Sequence, residues 1–109
     1  MSGHGAEINA QTGTTYTLVG TDNGKVVTLN NGSAITLTLP QTSTETIAAG
    51  FQCTIIQLGA GQVTVAKEGS DNLLSKGGNV ALTGQYSPAT IVKNVAGSPN
   101  TYVLMGDLA

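Results

Sequence analysis

Few side chains in this sequence are placed to do chemistry. Glu68 and Asp71 form a close pair of acids, but Glu68-Gly69-Ser70-Asp71-Asn72 reads as a polar loop. A carboxyl that acts as a general acid needs burial to raise its pKa, and solvated loop charges lack it. Asp22-Asn23-Gly24 has the first residues of a cation loop but neither the alternating oxygen ligands nor the closing Glu. It reads as a turn, since Asn and Gly tolerate positive φ. Gly59-Ala60-Gly61 is followed by Gln62-Val63-Thr64, which opens a strand; a phosphate loop would end in Gly-Lys-Ser/Thr and open a helix.

The chain has one His, His4, and one Cys, Cys53. These cannot build a zinc site, an intramolecular disulfide or a Ser-His-Asp arrangement. Cys53 alternates with Phe51 and Ile55 and is expected to be a small buried hydrophobe. Tyr16, Tyr86 and Tyr102 are either interface anchors or core rings with the hydroxyl at the rim, and core is the expectation for two of the three. With no Trp and four aromatics in all, stacking of sugars has little to rest on. No catalytic residue, metal ligand or cofactor is expected, and the chain reads as non-enzymatic.

The elements that would position these residues are strands. Ile35, Leu37 and Leu39 alternate with Thr36 and Thr38, the cleanest period of two in the sequence. Similar segments run over 14–18, 25–29, 51–58, 62–66, 80–82, 87–95 and 101–105, separated by Gly, Asn or Pro turns. Asn30-Asn31-Gly32-Ser33 is a hairpin signal. Pro40 ends a strand, and one short helical turn is expected at Glu45 to Ala49. Eight or so short strands predict an all-β fold, an antiparallel β-sandwich or jelly-roll-like barrel over 14–109. Its expected core includes Leu18, Val27, Ile35, Leu37, Leu39, Cys53, Ile55, Val63, Val65, Leu82, Ile91 and Leu104. Residues 1–13 are Gly-rich and polar without a period, and predict a flexible N-terminal arm whose one large apolar residue apart from Met1 is Ile8.

Composition narrows the partners. Ten of the 109 residues are charged, four Lys and six acids, against roughly a quarter in an ordinary soluble domain. Thr, Ser, Asn, Gln and Gly stand where Lys and Glu would be. A surface that does not repel its neighbours suits life in an assembly. The net charge of −2 and four scattered Lys without any Arg argue against nucleic acid. No apolar stretch approaches the length of a membrane-spanning helix, and the first residues lack the basic-then-apolar order of a signal peptide.

Four stretches together resemble a family. They are Gly24 to Asn31 with Ala34 to Pro40, Gly59 to Val65, Leu82 to Ser87, and Tyr102 to Leu108. Over about residues 16–109 the chain is similar to small β-sandwich virion proteins of tailed bacteriophages, which occur as capsid decoration (cement) proteins and as modules of tail-fibre or tail-tip proteins. The last strand of that family often carries Trp before its Gly-Asp-Leu ending; Tyr102 is the aromatic here. The resemblance implies a structural virion component, a homotrimer bound to the major capsid protein, assembled in the bacterial host cytoplasm. A single domain with a short arm favours the capsid role. The alternative is a tail module contacting other tail proteins or a host surface receptor. His4, Glu7, Ile8, Asn9 and Tyr16 are the candidate partner contacts, with the arm ordering on a neighbour.

Overall fold

The computed structural model describes residues 7–41, 50–69, 72–93 and 101–109. Its strands are β1 (Ile8–Gln11), β2 (Thr15–Thr17), β3 (Val26–Leu29), β4 (Ile35–Leu39), β5 (Gln52–Gln57), β6 (Val63–Lys67), β7 (Asn72–Ser75), β8 (Pro88–Lys93) and β9 (Thr101–Gly106). Helical structure among the described residues is confined to two 3₁₀ turns, Gly20–Asp22 and Lys76–Gly78. The fold is mainly β, as the alternating segments predict. The helical turn expected at 45–49 lies outside the described residues.

The strands form two sheets. One has six strands in the order β1-β3-β5-β8-β9-β7, the other three in the order β2-β4-β6. From β1 to β6 the chain alternates between them, and each strand lies parallel to the one two before it. These residues therefore stack as three rungs of a parallel coil, the arrangement of a β-solenoid. Side chains of successive rungs stack in columns: Asn9, Val27 and Ile55 in one sheet, Tyr16, Leu37 and Val65 in the other. The remainder closes the stack. Ala81 bridges antiparallel to Thr64 beside β6, and Leu82 bridges Leu108. β8 runs antiparallel to β5 and β9, and β7 runs parallel to β9.

The antiparallel expectation is thus corrected for the first two-thirds of the chain. A period of two decides which side chains face the core, not which strand is the neighbour or how it runs. The Asn30-Asn31-Gly32-Ser33 turn is a crossover between sheets, not a hairpin, because β3 pairs with β1 and β5 while β4 pairs with β2 and β6. Asn31 holds it, donating Nδ2 to the Thr12 carbonyl at 2.8 Å and accepting from the Ser33 N–H at 2.9 Å. The next rung's turn seats on this one. A Cβ on Gly61 would meet the Ser33 carbonyl oxygen at 1.8 Å, and one on Gly59 would meet Asn31. Gly59-Ala60-Gly61 is small so that backbones can stack, not to cradle a phosphate.

The arm is corrected as well. Ile8–Gln11 is a strand of the six-stranded sheet, with the Val26 N–H bonded to the Glu7 carbonyl and the Asn30 N–H to that of Gln11. Residues 1–6 lie outside the described ones. All twelve residues expected in the core are buried, joined by Leu29, Phe51, Ala89 and Tyr102. Tyr102 ties the far strand back to β4: its hydroxyl donates to the Pro40 carbonyl at 2.6 Å, and the Lys93 ammonium sits 5.9 Å from its ring centre.

Candidate functional site

The first rung turns polar side chains inward, half-buried, where the second rung buries aliphatic ones. Asn9, Gln11 and Tyr16 are its inward residues, and Asp22, at the end of a 3₁₀ turn, is 1 % exposed. The carboxylate of Asp22 accepts from the Tyr16 hydroxyl (2.6 Å), Asn9 Nδ2 (2.9 Å) and the Val19 N–H (3.1 Å). Gln11 Nε2 donates to Asn9 Oδ1 at 2.7 Å. A buried carboxylate with three donors is satisfied. Burial, together with the adjacent Asp22 carboxylate, pushes the Tyr16 hydroxyl up to about 12. Burial, with a smaller effect of the Asp22 charge, pushes the Cys53 thiol up to about 12. Both stay protonated near neutral pH, so neither is an activated nucleophile.

This network divides the candidate partner contacts. Asn9 and Tyr16 turn inward and hydrogen-bond to Asp22, so their polar ends serve the fold. Glu7 and Ile8 are exposed, Ile8 at 68 %. His4 lies outside the described residues. Of the three tyrosines, Tyr102 is buried, Tyr16 packs half-buried against the core and Tyr86 is exposed.

Two further surface features lie apart from these candidate contacts. The first is a groove of about 460 Å³ beside β7 and β9, walled by Leu74, Val103, Met105 and Leu108, with Lys76 at its edge. Leu74 and Met105 are exposed, and the buried Ser75 hydroxyl in its lining has no hydrogen-bond partner among the described residues. Four residues, Asn-Leu-Leu-Ser, are too few for their alternation to declare a face. The second is the turn at 83–87. The Ser87 hydroxyl bonds to Thr83 Oγ1 (2.7 Å), accepts from the Gly84 N–H (3.1 Å) and donates to Asp107 (3.2 Å). This hub holds Tyr86 at φ 72°, a conformation that side chains with a Cβ rarely adopt.

Of the residues considered for acid or metal chemistry, the described ones have structural partners. Glu68 accepts from the Gln41 N–H at 3.1 Å, and Asp71 lies outside the described residues. Asn23 accepts from the Gln52 N–H at 3.2 Å, which seats the Asp22-Asn23-Gly24 turn against β5. Among the described residues no three His, Cys, Asp or Glu side chains come together. No protein-family model matches the chain, and no curated protein matches it.

Proposed function

We propose that this chain is a non-enzymatic structural protein of a tailed-phage virion, a capsid decoration protein. In this reading it sits as a homotrimer on the outside of the shell, binds the major capsid protein and stabilises the lattice. The observation that carries the reading is the pair of uncharged edge strands with exposed aliphatic side chains, Ile8 and Leu74, on a chain with only ten charged residues. Such a surface associates where a charged one would stay dispersed. The resemblance over residues 16–109 supplies the virion context. Two sheets closing on one core support a sandwich-type module.

Imaging particles produced with and without the protein tests the proposal. Density on the outer shell at each protein's site, and capsids that resist heat better when it is bound, are expected. Density confined to the tail would replace this reading with the second one, a tail-fibre or tail-tip module. That alternative is favoured by the parallel rungs of β1–β6, since stacked rungs are how extended fibrous shapes are built. Adsorption of the isolated protein to host cells would support it.

A further inference from the structure

We infer that β1 of one copy of this chain pairs, parallel, with β7 of the next, so that the six-stranded sheet continues from copy to copy around a closed ring. The inference rests on the self-association part of the reading above and supplies its interface.

Both strands are outermost in the sheet, and among the described residues neither has a ladder on its outer side. Natural proteins protect such edges with Lys, Pro, bulges or a covering element. Here β1 reads Ile-Asn-Ala-Gln and β7 reads Asn-Leu-Leu-Ser, with no charge and no Pro in either. Among the described residues nothing pairs with the outer side of the β1 backbone. Its bonds to β3 use the carbonyls of Glu7 and Gln11, so the alternation turns the N–H and C=O of Ile8 and Ala10 outward.

Direction and side chains agree with closure. Following the pairings across the sheet, β1 is parallel to β5, β5 is antiparallel to β8, β8 is antiparallel to β9, and β9 is parallel to β7. β1 and β7 therefore run the same way. A rotation axis along the strands brings β1 of one copy beside β7 of its neighbour in parallel, each copy using each edge once. Ile8 and Leu74 both lie on the face opposite the core, because their neighbours Asn9 and Leu73 face inward. Ile8 of one copy then covers the apolar wall of Leu74 and Met105 on the next. A four-residue ladder is weak alone, which favours a ring in which every edge is used.

Sedimentation velocity on the full chain tests this, with circular dichroism and thermal midpoint measured alongside to establish that each variant folds. The wild type is expected above the mass of one chain. Ile8→Lys, Leu74→Lys and Ala10→Pro should each raise the dissociation constant at least about tenfold, as loss of a central contact does. Folded edge variants that keep the wild-type oligomer would overturn the β1–β7 interface and leave the trimer reading standing. A wild type that stays a single chain at millimolar concentration would overturn both.

Discussion

The Tyr16 hydroxyl meets Oδ2 of Asp22 at 2.6 Å, and this contact fastens the first rung to the rest of the molecule. Through Asp22 it also reaches Asn9 on β1, so two strands in different sheets share one acceptor. Asp22→Ala should cost about 2–3 kcal/mol, since hydrogen bonds to a charged group are the stronger kind and their donors would be left unpaired. Tyr16→Phe, which removes one donor, should cost about 1–2 kcal/mol. Urea unfolding gives both values. Hydrogen exchange should show the β1 amides opening first in Asp22→Ala; unchanged protection there would mean the rung is held by something else.

In the core, Leu37 is fully buried between Tyr16 and Val65 in its column. Leu37→Ala should destabilise by roughly 2–5 kcal/mol, the range for a leucine whose cavity cannot collapse. A loss below about half a kcal/mol, the size of an ordinary surface substitution, would contradict this packing.

Turn stacking makes a separate prediction. Gly61→Ala drives a methyl into the Ser33 carbonyl, so the two turns must separate. The expected cost is about 1–3 kcal/mol, as for overpacking. Gly32→Ala, where a Cβ meets nothing within 4 Å, is the control and should be near neutral.

Stability should fall at alkaline pH. The Cys53 thiol rises from 9.0 to about 12 in the folded state, and the Tyr16 hydroxyl from 10.0 to about 12. The unfolded chain thus releases these protons first, and the stability present below pH 9 is lost as pH climbs towards 12. Urea midpoints measured across that range should decline, and Cys53→Ala should flatten the decline while lowering the starting value. At neutral pH a thiol reagent should label Cys53 only as fast as the protein opens, because the side chain is 1 % exposed.

How much of this was legible depended on what each segment buries. In Ile35-Thr36-Leu37-Thr38-Leu39 the inward residues are all aliphatic, so strand and face were plain. In Ile8-Asn9-Ala10-Gln11 the inward residues are Asn9 and Gln11, and a hydrophobic period cannot register them. Their reason for facing inward, Asp22, sits in a later turn that reads as solvent-facing. Strand direction was hidden for a different cause. The Asn and Gly residues at 30–32 suit a hairpin or a sheet-to-sheet crossover equally, and only contacts between distant strands choose. The β7–β9 groove follows from such long-range pairing as well.

The rungs also have a consequence in time. Ile8 pairs with Val26, eighteen residues on, and Val26 with Thr54, twenty-eight residues on. No strand of the parallel stack can pair with its immediate successor, so every ladder in it must first close a long loop. Loop closure of this kind slows folding, and chains dominated by such contacts typically fold in milliseconds to seconds. β5 pairs with β3 on one side and β8 on the other. A nascent chain therefore cannot complete the central strand's partners until residues near Lys93 have emerged, and until then its aliphatic inner face stands open to other chains.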